Sequence, residues 1–245
     1  MIVWDRRRVR WYSQALDESD FPDVVIRAIR PWLRGCSSVL DVGAGCGTLA
    51  VPLARRVERV TALDPSVEML RELRRRARRA GVANIRCVLG AWGEVPLRPH
   101  DLLLVANARP VIRDVRKFVE LAAPLARRRI AIVEHVETGR EKFWLDELYP
   151  LLFNRSYPRR GDYLETYASL HGLGIFADVR LVAYRFDQPF RSLDEAVEFW
   201  ANHLPPLGAR QRGHLRAFLT ARLVKVGHRL VAPIPKTSAI ISWRS

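Results

Sequence analysis

The sequence predicts an α/β domain built on an open, mostly parallel sheet, and three observations carry that expectation. Short apolar runs rich in Val, Ile and Leu alternate with stretches whose apolar residues recur at helical spacing. One junction, Val39-Leu40-Asp41-Val42-Gly43-Ala44-Gly45-Cys46-Gly47, reads as strand, tight loop and helix start, with glycines at alternate positions. Glycine accepts positive φ and lets a backbone approach a ligand closely, and Asp41 ends the strand where open α/β sheets bind ligands. Finally, 245 residues suit one such domain with insertions and can bury a sizeable core.

Taken in order, residues 1–20 run from basic to acidic around Trp4, Trp11 and Tyr12. A helix is expected from Phe21-Pro22, with Val25, Ile26, Ile29, Trp32 and Leu33 on its apolar side and Gly35 at its end. Residues 1–35 thus form an N-terminal helical cover, and 36–135 the ligand-binding core. Beyond the glycine loop, a helix through Leu49, Val51, Leu53 and Ala54 leads to a strand, Arg59–Asp64. The next helix starts at Pro65-Ser66, is expected to bury Val67, Leu70, Leu73 and Ala77, and stops at Gly81. Strands follow at Ile85–Leu89, Asp101–Ala106 and Ile130–His135, with a helix through Val111, Ile112, Val115, Phe118 and Leu121 before the last of them.

Residues 136–175 form an aromatic-rich helical insert that includes Trp144, Tyr163 and Tyr167. Residues 176–245 hold a strand at Val179–Phe186, a helix capped by Ser192, and a break at Pro205–Gly208. A helix over about 209–226 and a last strand, Ala239–Trp243, antiparallel to the others, complete the chain. Neither internal repeats nor a low-complexity linker divides it, so a single domain with two insertions is expected.

Composition excludes several classes. Hydrophobic content of 49% with 27% charged residues is ordinary for a soluble globular protein. No apolar run approaches the ~20 residues that span a bilayer, and the basic N-terminus lacks the apolar core of a signal peptide. Cys36, Cys46 and Cys87 show neither metal nor redox spacing, so no metal is expected and a cytoplasmic setting is. The net charge of +15 would suit nucleic acid, but the arginines are spread through nearly every segment without interleaved aromatics. A small-molecule partner is therefore favoured over nucleic acid or membrane.

The glycine loop discriminates between two nucleotide-type ligands. A dinucleotide fingerprint would place glycine or alanine at position 48, where Thr48 stands, and its glycine comes one residue early at Gly47. An acid two residues before Gly-x-Gly-x-Gly instead resembles motif I of the class I S-adenosylmethionine-dependent methyltransferases. Asp64-Pro65-Ser66-Val67-Glu68-Met69-Leu70 matches a common continuation of that motif. The resemblance implies a Rossmann-like seven-stranded sheet whose last strand is antiparallel, and S-adenosylmethionine as cofactor. It implies cofactor contacts from Asp41, Gly43, Ala44, Gly45, Gly47, Asp64 and Pro65, with Asp64 on the ribose hydroxyls.

The chain departs from the family pattern in two places. Ala91, followed by Trp92, stands where many members carry an aspartate for the adenine amino group, leaving backbone groups and the indole to frame the ring. Asn107-Ala108-Arg109-Pro110 lacks the central proline and the aromatic of amino-methylating enzymes, so Asn107 becomes a wall of the cofactor site. His135, at the end of a strand on the acceptor edge, is the candidate general base. Trp11 and Tyr12 as lid residues, with Trp144, Tyr163 and Tyr167 of the insert, are the candidate acceptor pocket.

Overall fold

The computed structural model describes residues 4–136, 142–158 and 161–245, so the first residues of the insert, 137–141, lie outside the described part. The strands are β1 (Ser38–Val42), β2 (Arg59–Asp64), β3 (Ile85–Leu89), β4 (His100–Ala106), β5 (Ala126–His135), β6 (Asp178–Arg185), β7 (Gln188–Phe190), β8 (Val224–Val226), β9 (Arg229–Ala232) and β10 (Pro235–Arg244). Seven of them form one sheet in the order β3-β2-β1-β4-β5-β10-β6. Strands β1 to β5 pair in parallel, and β10 runs antiparallel to both its neighbours. The expected sheet is present, and β1, all five residues of which are buried, lies inside it between β2 and the central strand β4.

Among the described residues, ten α-helices flank the strands: α1 (Arg6–Asp17), α2 (Phe21–Ile29), α3 (Ala50–Ala54), α4 (Val67–Arg79), α5 (Arg109–Ile112), α6 (Val115–Ala122), α7 (Leu145–Phe153), α8 (Tyr163–Gly172), α9 (Leu193–Ala201) and α10 (Ala209–Arg222). Because side chains alternate across a strand, the sheet feeds two separate cores. Val39, Leu102, Leu104 and Val133 pack with Phe21, Ile29, Leu53 and Leu73 from α2, α3 and α4. Leu40, Leu103, Ile132 and Ile241 pack on the other side with Phe118 of α6 and Leu170 of α8.

A third core lies outside the sheet. Trp11 of α1, Leu148 and Leu152 of α7, Phe199 and Trp200 of α9 and Leu215 and Leu219 of α10 pack with Phe190 and Ile234. The second sheet, ordered β7-β9-β8, closes this lobe. Its strands were missing from the sequence reading because each has only three or four residues, too few to show a period. The helix expected over 209–226 stops at Arg222, and Val224–Val226 instead pairs with β9 around Gly227, whose φ is 58°.

Other boundaries moved for identifiable reasons. Residues 6–17 form a full helix because the Asp5 carboxylate accepts from the Arg8 amide at 2.8 Å, a capping contact. Strand β5 begins at Ala126, four residues before its apolar run, because β4 and β10 extend alongside its basic start. Val67 is 49% exposed; Met69 takes the place expected for it in the core of α4.

The insert after β5 does not act as one unit. Helix α7 joins the third core, whereas α8 covers the second. Trp200 anchors the first of these: it is fully buried, stacks on Trp144 at 5.2 Å, and donates from Nε1 to the Phe143 carbonyl at 2.8 Å. Replacing Trp200 with alanine should cost about 3–5 kcal/mol in urea unfolding monitored by far-ultraviolet circular dichroism.

Candidate functional site

The site begins at the end of β1. Gly43, Gly45 and Gly47 have φ of 71°, 55° and 83°. A Cβ on Gly43 would stand 2.5 Å from that of Ala108, and one on Gly47 would stand 2.8 Å from Leu73 Cγ. Both conformation and space therefore require glycine at these two positions. The Gly43 and Ala44 amides donate to the Leu63 carbonyl at 2.8 and 3.0 Å, so the loop is fastened to the end of β2.

Asp64 extends that fastening. Its Oδ2 accepts from the Gly45 amide and its Oδ1 from the Ser66 amide, both at 2.8 Å. Each oxygen keeps acceptor capacity beyond these contacts, since a carboxylate offers about four lone-pair sites. Burial raises the Asp64 pKa against those two amides. Asp41, 2% exposed, receives a hydrogen bond from the Ala50 amide at the start of α3. Burial, and after it the negative charge of Asp64, pushes Asp41 up to about 7.

Apolar surface flanks this acidic pair. Leu89 stands opposite Asp64 in the β2–β3 register and is 53% exposed, and Val67 is exposed at the first turn of α4, beside exposed Pro65. Ala91 is half-buried just beyond β3. Trp92 turns into the second core, its ring 5.9 Å from that of Phe118, and its buried Nε1 has no hydrogen-bond partner among the described residues. Packing on Phe118, rather than framing a ligand ring, is the contact its indole makes.

Asn107 follows β4 with a φ of 53°, its amide donating to the Val133 carbonyl at 2.8 Å and its side chain exposed. Positive φ is uncommon outside glycine, and asparagine tolerates it better than most residues. Next to it, Arg109 bridges elements: it donates to the Gly161 carbonyl and to Glu165 Oε2 at 2.8 Å, and lies 3.8 Å from Glu134 Oε1. Helix α8 is thereby tied to the end of β5. Glu134 is buried, which raises its pKa against a hydrogen bond from Thr166 and the charge of Arg109.

His135 faces the other side of β5, directly opposite Ser238 in the antiparallel register with β10. Ser238 Oγ lies 3.0 Å from the Tyr184 hydroxyl, and Lys236, two residues before Ser238, sits 4.2 Å over the Phe186 ring. Phe186 in turn contacts the Tyr12 ring at 5.6 Å, and the Tyr12 hydroxyl is 3.2 Å from Thr48 Oγ1 in the glycine loop. A series of polar and aromatic contacts thus leads from the register partner of His135 to the loop, with Ser238, Tyr184 and Phe186 buried and Tyr12 half-buried. Burial raises the pKa of Tyr12, and it pushes Tyr184 up to about 12, so both phenols stay protonated near neutrality.

The candidate pocket residues are not all brought together. Tyr12 reaches the loop. Trp11, its neighbour, is 2% exposed in the third core, donating from Nε1 to Glu195 Oε1 at 3.1 Å, so it is a packing residue and no lid. Trp144 belongs to the third core, and Tyr163 and Tyr167 pack against the second, on the Glu134 side of the sheet. Tyr184, Phe186, Lys236 and Ser238 were missed by sequence reasoning, because only strand register places them beside His135. The alternation of Val182, Tyr184 and Phe186 was the available signal.

Residues 39–127 match the sequence profile of a family described as a methyltransferase domain. An uncharacterized protein of Haemophilus influenzae is 23% identical over 99% of this chain and 88% of its own. A ubiquinone biosynthesis O-methyltransferase of Methylocella silvestris is 34% identical over 36% of this chain, and the match spans about a third (35%) of that protein. Among solved structures, a methyltransferase from Geobacter sulfurreducens in complex with S-adenosyl-L-homocysteine shares the fold at a TM-score of 0.53. It is 19% identical, covering 90% of each chain.

Residues 39–127 thus carry a methyltransferase domain, with S-adenosylmethionine as its cofactor. The residues present suit that molecule. Its sulfonium and ammonium match a loop bordered by two carboxylates, its ribose diol matches an acid with spare acceptor capacity, and its adenine matches exposed Leu89 and Val67.

The raised Asp41 pKa has a sign that can be checked. A carboxyl raised from 3.8 to about 7 on folding stabilises the fold below pH 3.8, and that contribution is lost as pH rises through 7. Asp41→Asn keeps an acceptor for the Ala50 amide and removes the charge. Its thermal midpoint without cofactor should exceed that of the wild type at pH 8, and the gap should close toward pH 4. Gly43→Ala should weaken S-adenosylmethionine binding at least about tenfold by calorimetry, through strained φ and the Ala108 clash.

Proposed function

We propose that the enzyme methylates a small-molecule acceptor bound against the face formed by Tyr12, His135, Tyr184, Phe186, Lys236 and Ser238. The observation that carries this reading is the continuity of that face with the glycine loop through the Tyr12–Thr48 contact. It mixes aromatic rings with a few polar tips, the composition of small-ligand sites.

In this reading Asp64 holds the ribose hydroxyls, Asp41 and the loop amides face the cationic amino-acid portion, and Leu89 and Val67 support the adenine. The bound cofactor supplies an electrophilic methyl group on sulfur. The protein's part is to place the acceptor in line and exclude water. His135 takes the acceptor's proton, since the raised pKa values of Tyr12 and Tyr184 leave those hydroxyls as hydrogen-bond donors. The name of the partial relative from Methylocella silvestris supports an oxygen nucleophile.

Nucleic-acid methylation is the second reading, favoured by the net charge of +15. It needs free arginines around the cofactor edge, and among the described residues Arg109, which follows β4, pairs with Glu134 and Glu165, and Arg10 of α1 pairs with Glu195. The small-molecule reading fits the site better.

Incubating the enzyme with methyl-labelled cofactor and a fractionated cell extract should put label in the low-mass fraction. Label in RNA or DNA instead would overturn the proposal. Once an acceptor is in hand, His135→Gln should lower kcat by about 100-fold or more with a KM change under threefold, and should remove the acidic limb of the pH–rate profile.

A further inference from the structure

The surplus positive charge has a location. On α4 and α10 part of the basic face is matched by acids: Arg71 pairs with Glu68 and Arg75 with Glu72 at 2.6 Å, Arg212 with Glu198 at 2.9 Å, and Arg216 with Asp194. A further basic cluster lies on the edge of the main sheet opposite the glycine loop. There β2 begins at Arg59, Arg98 precedes β4, β5 opens with Arg127-Arg128-Arg129, and antiparallel β10 ends at Arg244. From β2 to β10 the sheet order crosses four strand spacings, so these residues span about 19 Å along the edge.

The centre of the row is concave. A cleft of about 510 Å³ is lined by Trp32, Asp101, Arg127, Arg128, Arg129 and Arg244, among others. Asp101, the acid in it, is largely occupied: its Oδ2 accepts from the amides and hydroxyls of Ser37 and Ser38 at 2.8–3.2 Å. Its Oδ1 is 4.0 Å from Arg127. Asp178 lies 3.8 Å from Arg129 but is 87% exposed, so its partial neutralisation is weak. The guanidinium of Arg129 stacks on the Trp32 ring at 4.8 Å.

Aromatic surface accompanies the charge. Phe176 lies two residues before β6, whose first residue Asp178 pairs with Ser242 of β10, two residues before Arg244. Phe176 is 77% exposed, touching the His171 ring edge-on at 5.2 Å. An exposed ring at the end of a cationic row, with a second ring in the adjoining cleft, is the pairing that single-stranded nucleic acid uses: charge along the backbone, stacking on the bases. A smaller phosphorylated ligand would fill the cleft and leave Arg59 and Arg98 unused. A membrane surface would call for an apolar band, where this edge presents one phenyl ring.

We propose that this edge binds single-stranded nucleic acid, with the phosphate backbone along Arg59, Arg98, Arg127 and Arg244 and a base on Phe176. Arg127 is eight residues from His135 along β5, a distance of about 26 Å, so the bound strand lies away from the methyl-transfer edge and is not its acceptor. The activity is a second one, independent of which molecule receives the methyl group.

Fluorescence anisotropy with a labelled oligouridylate of about 12 nucleotides tests it. Arg127→Glu with Arg244→Glu should weaken binding at least about tenfold and flatten the log–log salt slope by about 1.4, two contacts at about 0.7 each. Phe176→Ala should weaken it at least about fivefold. Arg74→Glu with Arg79→Glu on α4 changes the net charge equally and should alter affinity by less than about twofold. Equal losses from both charge reversals, no saturable binding by the wild type, or preference for phosphatidylserine–phosphatidylcholine vesicles would each overturn the proposal. Calorimetry with S-adenosylmethionine reports whether the variants are folded. Should the reversals prove unfolded, Arg127→Gln with Arg244→Gln must still rank below the corresponding glutamine pair on α4, or the proposal fails.

Discussion

The contact on which the rest depends is the fastening of the glycine loop to the end of β2. Two amides converge on the Leu63 carbonyl, a third reaches the Asp64 carboxylate, and the same carboxylate starts α4 through Ser66. One acid thus joins the loop, a strand end and a helix start. Every oxygen it commits to the backbone is also positioned for a ligand, so the protein builds its binding surface from the same bonds that hold the turn. The energetic consequence is visible at Asp41, which is buried beside a second negative charge and held near the point of protonation. Cofactor binding relieves this, because a cation entering the loop favours both carboxylates in their charged form.

The central sheet was legible in the sequence because buried parallel strands read as compact apolar runs and the glycine loop fixed the position of the first. Asp64, Gly43 and Gly47 were legible for the same reason: local spacing determines them. The acceptor face was not. Ser238 and Lys236 come from a strand about one hundred residues after His135, and the antiparallel register that aligns them leaves no local trace. Trp11 and Tyr12 show the limit from another side. They are adjacent on α1, yet one turns into the third core and the other reaches Thr48, a difference of helical phase that residue type cannot report.

The two ends of the sheet divide the electrostatics of the molecule. Buried acids gather at the cofactor edge, where a cationic ligand answers them, and arginines gather at the far edge, where few acids do. Charge counted over the whole chain averages these regions and hides both. On the helices acids pair with part of the arginines, such as Arg71 and Arg75 of α4, and a further group of arginines lies where the strands begin.

Strand β10 passes between β5 and β6 through the whole depth of the sheet, and it supplies the proposed acceptor face with Lys236 and Ser238 at one end and the basic edge with Arg244 at the other. During synthesis the cofactor loop, α4 and β1 to β5 can assemble long before these ten residues leave the ribosome. Until they insert, β5 keeps an open edge and β6 has no neighbour to join. The order of translation therefore places the residues around the glycine loop ahead of the strand that completes the sheet between β5 and β6.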